Sequence, residues 1–260
     1  MQDKIKKRLK GAAITVAALL FWILVWFLAA KKVNVPFVLP SPAPVFYRLF
    51  QLMGTTAFYA TLFISFLRVI TGFFAGLIFG FFLGHLSHFL TPIKVLISPL
   101  MAIVRATPVA SFILVVLFWM EKEEVPAFIS FLMVLPIVWQ NTVLGLETRD
   151  PALVEMAKVY QIPASVRFFK IDLPHVMKYV VSAGKTGLGL AWKAGVAAEV
   201  LALPKASVGY MIYNAKMYLE QVDLYAWTVA IIGFSVILEK LFLSILETGR
   251  KRNADSKEAL

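Results

Sequence analysis

Six stretches of this chain, roughly residues 11–30, 61–84, 95–119, 125–146, 177–203 and 224–246, are each apolar for about the 20 residues a helix needs to cross the hydrocarbon core of a bilayer. An open strand in lipid leaves backbone N–H and C=O groups unpaired, so each stretch reads as a helix and the chain as an all-α, polytopic membrane protein. Composition agrees: 60% of the 260 residues are hydrophobic and only 16% charged, far from the balance of a soluble domain. The opening "MQDKIKKRLKG" before an apolar run imitates a signal peptide. The run is too long for one and no small-residue cleavage site follows it, so it is expected to remain as a first span. With no cysteine there is no disulfide, no thiolate metal site and no cysteine nucleophile.

The basic residues orient the spans. Of the 26 Lys and Arg, fifteen lie at the N-terminus, in the 85–94 loop, in the 148–178 segment and in the tail; six lie on the opposite side, and five fall within or beside spans. The positive-inside rule then places both termini and the 148–178 segment in the cytoplasm. The formal net charge of +11 is accounted for by these flanks and does not call for nucleic acid.

Two spans carry small residues at intervals of four: Gly72, Gly76, Gly80 and Gly84 in one, Ala183, Gly187, Ala191 and Gly195 in another. That spacing keeps them on nearly one face, where another helix backbone can approach closely. Close packing in a helical bundle is therefore expected on both faces.

Between the fourth and fifth spans lies "ALVEMAKVYQIPASVRFFKIDLP", residues 152–174, which is mixed and charged. Asp150 suits an N-cap and Pro151 the first helical position, where no N–H is needed. Leu153, Met156, Ala157 and Tyr160 follow at i, i+3, i+4 and i+7 and make an apolar stripe, with Glu155 and Lys158 off it. Pro163 closes this helix, a second amphipathic stretch holds Phe168, Phe169 and Ile171, and Pro174 leads into span five. Physics leaves two readings open: a helix resting on the inner leaflet, or one docking into a groove of a cytoplasmic partner.

The stretch resembles the "EAA" loop of ABC importer permeases, in which a Glu-Ala-Ala start, a glycine six residues after the Glu and a later Ile/Val-x-Leu-Pro recur. Here Glu155-Met156-Ala157 stands at the start and Ile171-Asp172-Leu173-Pro174 at the close, with Met156 for the middle alanine and Gln161 for the glycine. "LPSPAPV" (39–45), "TLFISFLRVITGFFAG" (61–76), "PIVWQNTVLG" (136–145) and "GLGLAWKAGVAAE" (187–199) are similar to the subgroup that imports nitrate, sulfonates, taurine and some vitamin precursors. The resemblance implies a single permease domain over residues 1–260, with six spans in a MetI-like bundle, in a bacterial inner membrane. It further implies a second permease copy, two cytoplasmic ABC ATPase subunits, an extracytoplasmic substrate-binding protein, and coupling through Glu155, Met156, Ala157, Lys158, Tyr160, Gln161, Ile162 and Pro163. On this reading the chain is not an enzyme and holds no cofactor. ATP and Mg belong to the partner ATPases. "AGKT" (183–186) is not a phosphate loop, since Tyr179 stands where its first glycine is required. The substrate is expected to be a small organic anion of the sulfonate, taurine or nitrate kind, or a vitamin precursor.

Ionisable residues inside spans are costly and mark functional candidates. Lys193, Trp192, Glu199, Arg105 and Asn141 are the expected residues of the translocation pathway, with Lys185, Trp192 and Glu199 seven apart on one face. The plainer alternatives are snorkelling of Lys185 and Lys193, or their pairing with Glu199. His85 and His88 have no carboxylate or thiol company, so no metal site is expected. A stand-alone secondary transporter, using intramembrane Lys and Glu for ion coupling, is the alternative function. An intramembrane enzyme finds no HExxH or GxSxG, hence no catalytic residue.

Overall fold

The computed structural model describes the backbone of residues 2–258 and the side chains of residues 14–244. The basic residues counted at the two ends, Lys4 to Lys10 and Arg250 to Lys257, lie outside the described side chains. Among the described residues every regular element is helical: α1 (Gln2–Val33), α2 (Pro42–Met53), α3 (Thr56–Phe89), α4 (Thr91–Ala106), α5 (Val109–Val116), α6 (Val125–Glu147), α7 (Pro151–Val159), α8 (Ala164–Arg167), α9 (Leu173–Ala202), α10 (Val208–Met217) and α11 (Gln221–Glu258). A π-turn over Phe168–Asp172 joins α8 to α9.

Four of the six expected spans are single helices long and apolar enough to cross a membrane: Ile14–Val33, Thr56–Phe89, Val125–Glu147 and Gln221–Ser244. The stretch 95–119 is not one helix. It is divided into α4 and α5, bent by 107°. The cause is Pro108, whose ring drives the preceding Thr107 out of the helical region to φ −74°, ψ 129°. The fifth stretch forms α9, a helix of 30 residues, but its composition is too polar to pass the same test.

Contacts divide the chain into two compact units, Met1–Tyr59 with Met211–Ile231, and Ala60–Tyr210 with Ile232–Leu260. In the first unit α2 is an element the sequence reading did not expect. Its Pro42 occupies the first turn, and Pro42 and Val45 are buried. Arg48 on this helix forks onto Asp223, Nε donating to Oδ1 at 2.6 Å and Nη2 to Oδ2 at 2.8 Å. The Asp223 hydrogen bond raises the Arg48 pKa above its ordinary value. Trp26 donates its indole N–H to the Pro40 carbonyl at 3.1 Å and stacks on Tyr225.

The second unit is organised by the small-residue ridges. A methyl group built on Gly76 meets Val134 Cβ at 2.7 Å, on Gly80 Val138 Cβ at 2.8 Å, and on Gly84 Thr142 Cβ at 2.6 Å. Each step of four along α3 is matched by a step of four along α6, so the two helices run parallel with no room for a side chain between them. The opposite face of α3 leaves Phe63, Phe74, Ile78 and Phe82 exposed, as a lipid-facing stripe requires. The ridge of α9 behaves likewise but antiparallel: Gly195 abuts Ser130 Oγ, Gly187 faces Val134, and Gly145 on α6 faces Val176 and Tyr179. Ser130 donates to the carbonyls of both Pro126 and Ala191, tying α6 to α9. Ile113 and Val116 of α5 fill the end of this pair against Val125, Ile129, Ala194, Ala198 and Ala202.

Candidate functional site

The loop after α6 folds as its caps dictate. Asp150 accepts from the Ala152 N–H at 2.9 Å, and Pro151 starts α7. At the other end the Ile162 N–H bonds the Ala157 carbonyl at 2.9 Å and the Gln161 N–H the Lys158 carbonyl at 3.1 Å. That pair of bonds is a Schellman closure. It requires a left-handed residue at Gln161, which has φ 50°, and Pro163 follows to prevent continuation. The tight turn is thus made without glycine, at the cost a side chain imposes on this conformation.

Of the stripe expected on α7, only Ala157 is buried, at 3% exposure. Leu153 is 44% exposed, Met156 40%, Val159 72% and Tyr160 75%. Glu155 and Lys158 are exposed, as are Gln161 and Pro163, while Ile162 is half-buried. α7 therefore presents an exposed apolar surface that no described residue of this chain covers.

Beneath α7 lies a polar cluster that the sequence reading missed. Asp172, 2% exposed, accepts from Arg149 Nη1, and its second oxygen lies 3.5 Å from Arg167 Nε. Arg149 also donates from Nε to the Leu146 carbonyl at 2.7 Å and meets His88 Nε2 at 2.8 Å. The Arg167 guanidinium lies over the Phe89 ring. Arg149 and Arg167 entered the sequence reading only as positive charges and Asp172 only as a spacer in Ile-x-Leu-Pro. The available signal was an acid at a span entrance that is otherwise basic. Beside the cluster a cavity of about 620 Å³ is lined by His88, Arg149, Val154, Glu155 and Lys158 among others.

The residues assigned to a pathway are divided by the structure. Glu199 is fully buried; its Oε2 accepts from Ser65 Oγ at 2.8 Å and from the Gly209 N–H at 3.1 Å. Ser65 Oγ in turn accepts from the Val208 N–H at 2.9 Å, so the two side chains together cap the start of α10. The cation beside Glu199 is Arg68, at 3.8 Å, rather than Lys193 or Lys185. Trp192 is buried and its ring lies 5.0 Å from that of Phe234. Lys185 is exposed, so Lys185, Trp192 and Glu199 do not share one environment. Seven residues fall about 20° short of two whole turns, so the three point within about 40° of one another and differ in what packs against them rather than in direction. Lys193 stands exposed on a different face with Ser182, Thr186 and Ala197. Arg105, in the last turn of α4, donates to Gln140 Oε1 at 2.5 Å. Asn141 is half-buried and donates to the Ile137 carbonyl of its own helix at 2.8 Å. Among the described residues no group of His, Asp and Glu has the geometry of a metal site.

The match to the family described as binding-protein-dependent transport system inner membrane component runs over residues 72–248, more than half of the chain. The chain belongs to that family. It is a permease subunit of an ABC importer and a multi-pass protein of the cell membrane, a transport subunit rather than an enzyme. It is 25% identical to SsuC of Bacillus subtilis strain 168, a permease protein named for aliphatic sulfonates transport, over 92% of this chain and 85% of that one. It is 22% identical to the taurine transport system permease protein TauC of Escherichia coli K12, over 85% and 82% of the two chains. The crystal structure of an amino acid ABC transporter with histidines shares the fold, with a TM-score of 0.60 at 16% identity, covering 78% of this chain and 97% of that one. Within this permease the matched range contains the whole segment from Asp150 to Pro174 and both glycine-packed helices from Gly72 onward. α1 and α2 precede it.

Proposed function

We propose that this permease couples ATP hydrolysis in other chains to movement of its own bundle through α7. The observation that carries the reading is the exposed apolar stripe Leu153, Met156, Val159 and Tyr160 on a helix fixed at both ends. A nine-residue helix is too short to persist on its own in water, so caps this complete argue for a shape kept for docking. Its partner is one of two cytoplasmic ABC ATPase subunits, which bind ATP and Mg. Glu155, Met156, Ala157, Lys158, Tyr160, Gln161, Ile162 and Pro163 form the contact and its closing turn.

In the same proposal residues 1–260 form one transmembrane domain with both termini cytoplasmic. α9, about 45 Å long at 1.5 Å per residue over its 30 residues, is the fifth of six spans, and the bent α4–α5 pair is the third. A second permease copy shares the pathway, and an extracytoplasmic binding protein delivers substrate. The exposed face of α9 with Ser182, Thr186, Lys193 and Ala197 supports a polar passage there. A cation on that face suits a small organic anion of the sulfonate, taurine or nitrate kind, the classes for which several relatives are named; a vitamin precursor is the other substrate class.

Co-purification of the ATPase with a Glu155→Lys permease tests the coupling. The substitution reverses the one acidic charge on the exposed face of α7, and loss of ATPase recovery is expected. Full recovery, with ATP hydrolysis still stimulated by the binding protein, would remove α7 as the docking element.

A further inference from the structure

The cluster beneath α7 joins elements far apart in sequence. Arg149 precedes the N-cap of α7, and Arg167 ends α8, so between them they bracket the whole docking segment. Both reach one carboxylate, Asp172, in the turn that opens α9. Both also reach the last turn of α3: Arg149 through His88, and Arg167 through the face of Phe89. The third donor position of Arg149 is taken by the Leu146 carbonyl near the end of α6. One buried acid thereby fixes the two ends of the segment to each other and to three long helices.

The burial decides how much this matters. The Asp172 side chain is 2% exposed and that of Arg149 10%, so the carboxylate has no water as an alternative partner. A buried pair cut on one side leaves an uncompensated charge, and the arrangement is therefore held in one geometry rather than averaged over many. Arg149 uses all three of its available edges, so it cannot follow Asp172 without also dragging His88 and the end of α6.

We propose that Asp172 is the positioning residue of the docking segment, the point through which α7 moves as one body with the cytoplasmic ends of α3, α6 and α9. This rests on the coupling role proposed for α7. Asp172 touches no substrate and no nucleotide. It acts through Arg149 and Arg167.

The chain contains no cysteine, so spin labels report only where they are introduced. Labels at Ala152→Cys on α7 and Phe82→Cys on α3, both exposed, are measured in the complete transporter in nanodiscs, with and without ATP. With Asp172 intact the α7–α3 distance within one subunit is expected to be narrow in both states. Asp172→Asn is expected to broaden that distance and to lower the stimulation of ATP hydrolysis by the purified binding protein about fivefold or more, the lower range of coupling between sites. Asp172→Glu is expected to restore both. An Asp172→Asn complex with an unchanged distance and unchanged stimulation overturns the proposal, as does a loss that Asp172→Glu fails to rescue. Should Asp172→Asn not assemble, Arg167→Gln decides: it removes one tie and leaves the Arg149 pair, and wild-type behaviour there overturns the proposal equally. Failure of Glu155→Lys to reduce ATPase recovery would instead remove the docking role, whichever way the distance measurement falls.

Discussion

Gly80→Ala isolates the packing of α3 on α6. The added methyl would stand 2.8 Å from Val138 Cβ and 2.9 Å from the Leu135 carbonyl oxygen. Neither is the flexible end of a side chain, so the helices must part by about 0.6 Å to reach the 3.4 Å of ordinary contact. Forcing a methylene into a filled interior costs about 1–3 kcal/mol. Alanine is also the better helix former, by about 1 kcal/mol, which offsets part of the loss. A net loss of up to about 2 kcal/mol remains. Gly233→Ala on α11 is the internal control, because nothing lies within 4 Å of a methyl there and only the propensity gain applies. The assay is resistance to graded SDS in mixed micelles, followed by circular dichroism. Gly80→Ala should unfold at lower SDS than wild type and Gly233→Ala at the same or higher. Equal midpoints for the two variants would refute the claim that the ridge is in backbone contact.

Gln161→Gly should stabilise the end of α7 by up to about 1 kcal/mol by relieving the left-handed strain; slower amide exchange at Gln161 and Ile162 is the readout. Ser65→Ala removes a donor to Glu199 and the acceptor of the Val208 N–H. It should cost about 1–3 kcal/mol, as buried groups left unpaired do, and a midpoint within error of wild type would argue against the cap on α10.

The long apolar runs were legible because length and hydropathy alone decide them, and the fourfold spacing of Gly72 to Gly84 was legible because helix geometry is local. The caps of α7 were also local: Asp150, Pro151 and Pro163 each act on their own neighbours. What escaped was of two kinds. Where a local signal competed with a run of apolar residues, the run prevailed: Pro108 lay in view inside 95–119 and breaks it. Where a side chain's partner lies far along the chain, no pattern announces it. Nothing in the sequence shows Ser65, Arg68 and Gly209 around Glu199, or the two arginines that meet on Asp172. The helical face drawn through Lys185, Trp192 and Glu199 is not one environment, because neighbouring helices cover Trp192 and Glu199 and leave Lys185 exposed.

The polarity of α9 bears on how such a chain enters a membrane. Under the six-span topology proposed above, Lys185, Lys193 and Glu199 make this helix a poor solitary insert, since a lysine at mid-bilayer costs about 3 kcal/mol on insertion scales. Its small-residue ridge is seated on α6 and α3, and Glu199 finds its hydroxyl and its guanidinium on α3. Both of those helices are synthesised first. The order of elements along the chain is thus also a schedule: the hosts are in lipid before the guest arrives, and α9 is admitted as a partner to a waiting surface rather than partitioned by its own hydrophobicity.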